Sequence, residues 1–353
     1  PTGWSEIASQ LTDTDGDGAP DQLFFLLNMA GETTTRIELV AGGWPTGYRR
    51  RADAMVAVRP ADAEPTTQYQ PRDTVRLPGP DGEADPELFF GGPVWESTEI
   101  GYRSIVAEQS RTDVVGKTVA RMRMRTVNPQ PDTIQAWGSA LLPDRGRTGI
   151  GTPFVETGAG AVSLAESSSQ TFVVTADGPL QGILTTTYRE VPTAEDPITV
   201  TGTKEIQAEG RWTEQRLRVA AESDPPSAWS TGLLRAPSSP TLYRDTTDQV
   251  AIFYTWGRQT AQGDSLGTAL LVPRALEPEV IDRDTLDHWI RMDATESTIR
   301  YRYLASWNLE SDALLTQPSF EATLRQIARR WMRPPRVRRL ADSLETSTAV
   351  PRD

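Results

Sequence analysis

Residues 197–220 read PITVTGTKEIQAEGRWTEQRLRVA, and this stretch decides the fold. β-Branched residues are frequent in it, and polar and apolar residues alternate on both sides of Gly210. Alternation with a period of two is typical of a half-buried β-strand. The stretch therefore predicts two strands, at 197–208 and 213–220.

The same pattern recurs along most of the chain, with Pro or Gly at intervals of about eight to twelve residues. It predicts further strands at 22–29, 35–41, 53–58, 99–108, 117–126, 133–141, 170–176, 180–190, 249–256, 267–273 and 299–306. Helical patterns occur over 282–292 and over 319–332, and the second begins after Pro318 and ends before Pro334. We therefore predict an all-β protein, a large antiparallel β-sandwich with few short helices near its C-terminus.

The domain organisation follows from the same pattern. The length of 353 residues is sufficient for one large all-β domain with a substantial core, and we predict a single domain over 1–353. Segment 59–87 is rich in Pro, Asp, Glu and Gly, which predicts a long surface loop, and 340–353 is predicted to be a tail.

Composition excludes several classes of function. The net charge of −12 argues against nucleic acid as a partner, because duplex binding requires a positively charged surface. No segment approaches the ~20 apolar residues of a membrane span. The absence of Cys excludes thiolate catalysis and Cys-based metal sites. The chain begins at Pro1, and we expect that a signal peptide or an earlier part of the protein has been removed.

Histidine chemistry is restricted in the same way. His288 is the only histidine, so catalytic triads and multi-His zinc sites are excluded. It falls within the predicted helix 282–292, beside Trp289, where a packed or surface role is more common than catalysis.

Arginine dominates the basic residues, since only Lys117 and Lys204 of the 36 Lys and Arg are lysines. Arginines alternate with apolar residues in three predicted strands, at Arg121, Arg123 and Arg125, at Arg216 and Arg218, and at Arg300 and Arg302. On a concave sheet face, such rows would bind an acidic sugar polymer, because the guanidinium fork fits carboxylate or sulfate. The alternative is an outward face paired with Asp and Glu of neighbouring strands.

An aspartate-rich loop precedes the first predicted strand. Asp13, Asp15, Asp17 and Asp21 are separated by glycines that allow the backbone to curl, and such converging oxygens suit Ca²⁺. The twelfth position, counted from Asp13, is Phe24 instead of Glu, which excludes an EF-hand. The loop is either a short structural Ca²⁺ site or an Asp-Gly turn without metal.

Four segments carry a further pattern: Ser9–Phe25, Trp95-Glu96-Ser97-Thr98-Glu99-Ile100-Gly101-Tyr102-Arg103, Asp113-Val114-Val115-Gly116-Lys117, and the stretch from Gly178-Pro179-Leu180 to Tyr188. Together these segments resemble the bacterial domain-of-unknown-function 4861 family. The resemblance implies a mutarotase-like β-supersandwich and an extracellular or periplasmic protein that acts on acidic, uronate-containing oligosaccharides. One activity that it implies is removal of water from a terminal uronic acid, a β-elimination that requires a base, an acid and a cation. The chain departs from the family pattern near Trp137, where a Tyr-His pair is missing.

Two functional hypotheses follow from this resemblance. In the first, an enzyme uses Lys117, Tyr102 and Glu96 for proton transfer, Arg103 and Arg147 to hold the carboxylate, and Trp95 and Trp137 to stack on sugar rings. For the three aromatic residues the alternative role is core packing, and for Glu96 and Lys117 it is an ion pair across strands. In the second hypothesis the protein is a non-catalytic glycan-binding or cell-surface assembly protein that self-associates through edge strands.

Overall fold

The computed structural model describes residues 5–29, 33–40, 47–78, 86–106, 110–127, 133–294, 296–310 and 316–338. In the first half of the chain the strands are β1 (Ser9–Thr12), β2 (Gln22–Phe25), β3 (Ala52–Arg59), β4 (Gln70–Arg72), β5 (Thr74–Pro78), β6 (Glu87–Leu88), β7 (Val94–Ser97), β8 (Ile100–Ile105), β9 (Arg111–Lys117), β10 (Gly138–Ala140), β11 (Phe154–Thr157), β12 (Gly160–Ser163) and β13 (Ser169–Asp177). They continue with β14 (Gln181–Val191), β15 (Ile198–Gln207), β16 (Trp212–Val219), β17 (Ala228–Leu234), β18 (Tyr243–Thr246), β19 (Val250–Arg258), β20 (Ser265–Pro273), β21 (Glu279–Ile281), β22 (Asp287–Asp293) and β23 (Thr298–Trp307), and one helix follows, α1 (Gln317–Met332).

The strands form an antiparallel sandwich. One layer is a nine-stranded sheet in the order β18-β19-β20-β23-β16-β15-β14-β13-β5. The other layer combines a seven-stranded sheet, β10-β9-β8-β7-β3-β4 with β6 paired to β3, and a five-stranded sheet, β12-β11-β17-β22-β21. Residues Gly149 and Ile150 bridge β9 and β17 and so connect these two sheets. The predicted all-β sandwich is confirmed.

The main core lies between the two layers, and strand alternation determines which side chains enter it. On β15, Ile198, Val200 and Ile206 are buried in this core, and the side chains of Thr199, Thr201, Thr203 and Glu205 are half-buried on the opposite face. The nine-stranded sheet therefore has an inner face in the core and an outer face, as the period of two requires.

Helix α1 covers one end of that outer face. Pro318 occupies its first turn, and the Thr316 side chain accepts a hydrogen bond from the Ser319 backbone N–H at 3.3 Å. Such N-terminal caps satisfy amide groups that the helix itself leaves unpaired. The buried residues of α1 (Phe320, Leu324, Ala328 and Trp331) pack on β19, β20 and Leu304 of β23. The helix predicted at 319–332 is confirmed and begins two residues earlier.

The strand predicted at 117–126 is wrong. Strand β9 ends at Lys117, and residues 118–127 turn back across the seven-stranded sheet. Glu96 accepts hydrogen bonds from the backbone N–H groups of Arg123 and Met124, and Arg125 pairs with buried Asp53. These long-range bonds replace the strand ladder, so Arg121, Arg123 and Arg125 do not form a stripe on a sheet.

Three further assignments change. Residues 282–292, predicted as helix, contain β22, because pairing with the buried strand β17 overrides the local helical pattern. Segment 59–87, predicted as a loop, also contains β4 and β5, and β5 pairs with β13 at the edge of the nine-stranded sheet. Residues 35–40 of the predicted strand 35–41 are not in a strand. The predicted tail 340–353 lies outside the described residues.

Candidate functional site

Lys117 and Glu96 form an ion pair inside the seven-stranded layer. Lys117 Nζ donates to Glu96 Oε2 and to the Ser97 carbonyl, and both side chains are buried. Glu96 lies opposite Gly101 on β8, where a Cβ atom would lie 2.3 Å from the sulfur of Met124. Gly101 therefore leaves the space in which segment 118–127 closes over the pair. Of the two roles open to Glu96 and Lys117, the arrangement has the form of the ion pair across strands.

Tyr102 and Trp95 lie on the opposite face of the same sheet, in the core. Their rings stack with centroids 6.0 Å apart, and neither residue is exposed. Trp95 Nε1 donates to Thr213 Oγ1 at 2.7 Å. The Tyr102 hydroxyl donates to the Arg211 carbonyl at 2.6 Å, and burial raises the pKa of Tyr102 well above its usual value. These partners fit the role of core packing between the two layers.

The predicted binding residues Arg103, Arg147 and Trp137 have separate partners. Arg103 donates to Asp113 Oδ2 through Nε at 2.9 Å and Nη2 at 2.7 Å. The guanidinium carbon of Arg147 lies 5.1 Å from the ring centroid of Phe154. Trp137 Nε1 donates to the side chain of Gln135 at 2.8 Å. Their contacts fall in different sheets and connections, so the structure does not assemble them around one carboxylate.

The Lys117 amine is part of a larger group of charged side chains. We call Glu96, Glu99, Lys117, Arg211 and Glu310 the charged cluster. Arg211 binds both Glu99, at 3.3 Å, and Glu310. Burial lowers the pKa of Lys117, although the negative charges of Glu99 and Glu310 oppose this shift. The side chains of Glu99 and Arg211 are 17% and 12% exposed, so the cluster reaches solvent on their side.

Glu310 has an unusual environment within this charged cluster. Its side chain is 2% exposed, and burial raises its pKa to about 7 although Arg211 opposes the shift. Its Oε1 accepts no hydrogen bond from the described part of the chain. No periodic pattern or motif of the sequence points to Glu310 or Arg211, because both lie in connections outside the strands.

The outer face of the nine-stranded sheet carries a second group of arginines. Arg216 on β16 lies directly opposite Arg300 on β23, and Arg218 lies opposite Thr298. The side chains of Thr185, Thr187, Thr201 and Thr203 continue this surface on β14 and β15. We call the surface formed by Arg76, Thr171, Thr185, Thr187, Thr201, Thr203, Arg216, Arg218, Thr298 and Arg300 the arginine–threonine face.

Arg302 marks the border between this face and helix α1. Its guanidinium carbon lies 5.4 Å from the ring centroid of Trp212 and 4.7 Å from that of Trp331, and Nη2 binds Glu214 at 2.8 Å. Arg302 is therefore a structural residue that fastens α1 to the sheet. Arg216, Arg218 and Arg300 are exposed, although Arg216 Nη2 binds Glu214 at 3.2 Å and the guanidinium carbon of Arg300 lies 5.5 Å from the ring centroid of Trp331.

The aspartate loop brings three of its four predicted ligands together. Carboxylate oxygens of Asp13, Asp15 and Asp17 lie within 4.8 Å of one another. The backbone N–H groups of Gly16 and Gly18 donate to Asp13 at 2.7 and 2.8 Å, which lowers its pKa. Asp21 instead accepts a hydrogen bond from the Thr14 backbone N–H at 2.8 Å. Three carboxylates on a curled loop fit a Ca²⁺ ligand set, with further oxygens required from solvent or backbone.

His288 lies on β22, not on a helix as predicted. Burial and the positive charge of Arg235 lower its pKa to about 4. The imidazole is therefore neutral at pH 7.

A family model described as "Domain of unknown function (DUF4861)" matches residues 2–337. The chain belongs to the DUF4861 family. No curated protein matches it. We find no membrane-spanning helix in the described part of this DUF4861 protein.

Two of the motifs through which the chain resembles the DUF4861 family meet in space. Trp95–Arg103 forms β7 and β8, and Asp113–Lys117 ends β9. Each motif supplies one partner of the Glu96–Lys117 pair and one partner of the Arg103–Asp113 pair. The motif residues thus connect neighbouring strands of one sheet in this DUF4861 protein.

Proposed function

We propose that this protein binds acidic glycans through the arginine–threonine face. The observation that carries the proposal is the direct opposition of Arg216 and Arg300 on an exposed face, with Arg218 beside them. Like charges directly opposite on a sheet destabilise it. Glu214 binds Arg216 at 3.2 Å, and a bound carboxylate or sulfate would offset the remaining repulsion from Arg218 and Arg300. The guanidinium groups also offer such an anion paired N–H donors.

The charge of the rest of the molecule supports an acidic ligand of limited size. The protein has a net charge of −12, and the exposed arginines Arg76, Arg216, Arg218 and Arg300 give this face positive groups against that overall charge. A long polyanion that wraps the molecule would meet its acidic surface, whereas an oligosaccharide can remain on this face. The resemblance to the DUF4861 family suggests uronate-containing oligosaccharides as the ligand class.

The triple variant R216A/R218A/R300A tests this proposal. We expect it to bind homogalacturonan or alginate oligosaccharides at least ~10-fold more weakly than the wild type, since each charged hydrogen bond contributes about 1.5–3 kcal/mol. Wild-type binding should also weaken as salt rises from low to physiological concentration. Titration calorimetry measures both effects.

The matched control for this test is R72A/R121A/R336A, which removes the same charge from exposed positions outside the arginine–threonine face. It should retain wild-type affinity. Equal losses of oligosaccharide affinity in the two triple variants would show that net charge, not this face, determines binding. A wild type that binds none of these oligosaccharides would refute the proposal.

Acid–base catalysis on such a glycan is the second candidate function. It is favoured by Glu310, a buried carboxyl group whose pKa of about 7 leaves it partly protonated at neutral pH. A group with a pKa near the working pH is suited to proton transfer. Elimination of water from a terminal uronate would require an acid for the leaving oxygen, a base for the C5 proton and a cation near the carboxylate. Glu310, Glu99 and Arg211 are residues of the charged cluster that could supply these three roles.

Glu310→Gln tests the catalytic candidate. We expect a loss of about 10²–10⁴-fold in formation of the unsaturated uronate, followed by its ultraviolet absorbance, because the amide cannot transfer the proton. Glu195→Gln, at an exposed position, is the control and should retain full activity. Undiminished turnover by Glu310→Gln, or no unsaturated product from the wild type, would remove this candidate.

We further propose a structural Ca²⁺ ion at Asp13, Asp15 and Asp17. Saturating Ca²⁺ should raise Tm by about 1–2 °C for each kcal/mol of binding free energy in a chain of this length, because the ion binds only the folded loop. The variant D13N/D15N/D17N should lose the shift, and D62N/D196N/D224N, which neutralises three exposed aspartates elsewhere, should keep it. Differential scanning calorimetry with Ca²⁺ and with EDTA makes the comparison, and identical Tm values in the two conditions would contradict the site.

A further inference from the structure

An unbroken row of side chains crosses five strands on the arginine–threonine face. Arg218 on β16 pairs with Thr201 on β15, and Thr201 pairs with Thr187 on β14. Thr187 in turn pairs with Thr171 on β13, and Thr171 pairs with Arg76 on β5. The row therefore consists of three threonines with one arginine at each end, and we call it the threonine row.

The register fixes the length of the threonine row. Neighbouring strands lie about 4.8 Å apart, so the four intervals from β16 to β5 place the backbones of Arg218 and Arg76 about 19 Å apart. This distance exceeds the length of a disaccharide and corresponds to a longer oligosaccharide. Both arginines are exposed, and the three threonines between them are half-buried.

The charges of the neighbouring rows favour a ligand that lies across the strands. Two rows along β15 and β16 from the threonine row, Glu205 lies directly opposite Glu214, whose carboxylate binds Arg216 at 3.2 Å and Arg302 at 2.8 Å. An acidic chain that followed β16 from Arg218 past Arg216 would therefore approach these carboxylates. An acidic chain that follows the threonine row meets hydroxyl groups and then the second arginine, Arg76.

The chemistry of the threonine row fits an acidic sugar chain. Each hydroxyl both donates and accepts hydrogen bonds, as sugar hydroxyl groups do. The terminal guanidinium groups offer forked donors to carboxylates. The spacing of the arginines then requires acidic groups near both ends of the bound segment.

We infer that the acidic glycan lies across strands β16, β15, β14, β13 and β5 along the threonine row, with one carboxylate at the Arg216–Arg218–Arg300 end and another at Arg76. This inference rests on the proposed binding function and adds the direction and minimum length of the ligand. A disaccharide can occupy only the end with three arginines, whereas a hexasaccharide reaches Arg76.

Arg76→Ala with homogalacturonan oligosaccharides of two and six residues tests the inference. We expect the hexasaccharide to bind about tenfold more weakly to Arg76→Ala than to the wild type, and the disaccharide to bind both equally. Arg72→Ala, at an exposed position on β4 of the seven-stranded sheet, is the matched control and should bind both ligands as the wild type does. Unchanged Tm values confirm that the variants fold.

The possible failures are distinguishable. If Arg76→Ala binds the hexasaccharide as tightly as the wild type while R216A/R218A/R300A does not, the direction along the threonine row is wrong and the proposed binding function stands. Equal losses for the two ligand lengths would also overturn the inference, because Arg76 would then contact even the short ligand. If the wild type binds neither ligand, the proposed function fails together with the inference.

Discussion

Lys117→Met is expected to lower the free energy of unfolding by about 3–5 kcal/mol at pH 7. The substitution leaves the Glu96 carboxylate buried without a cation and removes the hydrogen bond to the Ser97 carbonyl. The backbone N–H groups of Arg123 and Met124 still donate to Glu96, but they do not supply a full positive charge. Chemical denaturation, with urea midpoints and slopes for both proteins, measures the loss.

The double variant E96Q/K117M is the control for this prediction. It removes both charges and keeps a side-chain oxygen that can accept from segment 118–127. Because the cost of the single variant comes mainly from one unpaired buried charge, the double variant should be more stable than Lys117→Met. A double variant that is less stable than both single variants, Lys117→Met and Glu96→Gln, would show that the ion pair itself, not the unpaired charge, dominates.

Lys204→Met is expected to have the opposite effect and to raise the free energy of unfolding by about 2–3 kcal/mol at pH 7. Lys204 is buried on the inner face of β15, with its Nζ 5.6 Å from the ring centroid of Trp95, and burial lowers its pKa to about 8. No carboxylate of the described residues forms an ion pair with it. Methionine fills a similar volume without the cost of a buried charge, although the contact between cation and ring is lost.

The pH dependence gives this prediction its sign. The pKa of Lys204 is about 8 in the folded protein, whereas an unperturbed lysine has a pKa of 10.5, so between these values the unfolded chain binds more protons. Stability contributed by this group therefore rises with pH across that window. The advantage of Lys204→Met should be fully present below pH 8 and should shrink as the pH approaches 10.5. An advantage that is independent of pH would indicate better packing instead of a removed charge.

The two lysine substitutions together isolate the effect of pairing. They replace the chain's only two lysines, both buried, with the same residue, and the main difference between the sites is the carboxylate beside Lys117. The same exchange is therefore expected to destabilise the protein at one site and to stabilise it at the other.

Local alternation predicted most of the nine-stranded sheet, and it failed where distant groups determine the backbone. Strand β15 alternates along its whole length, and parts of β13, β14 and β16 alternate too, so the period identifies these long strands. Residues 117–126 alternate equally well, yet Glu96 and Asp53 capture this segment from other strands. The fully buried strand β17 has no polar face and therefore no alternation to detect.

The candidate site was predictable to the same extent. For Glu96 and Lys117 the sequence left two roles open, proton transfer and an ion pair across strands. The pairing of Arg216 with Arg300 depends on which strands are neighbours, and β16 and β23 are far apart in the sequence. Glu310 acquires its raised pKa only through burial in the folded protein, which a sequence pattern does not express.

The position of helix α1 divides the outer face of the nine-stranded sheet into a part shielded from solvent and a part in contact with solvent. Over β19 and β20, α1 covers the apolar side chains of Val250, Ile252 and Leu271, whereas the threonines on β14 and β15 meet water. Arg302, held between Trp212 and Trp331, lies at the boundary between the covered and the solvent-exposed part of the sheet. The same nine strands thus serve as a wall of a second hydrophobic core at one end and as a hydrated platform at the other.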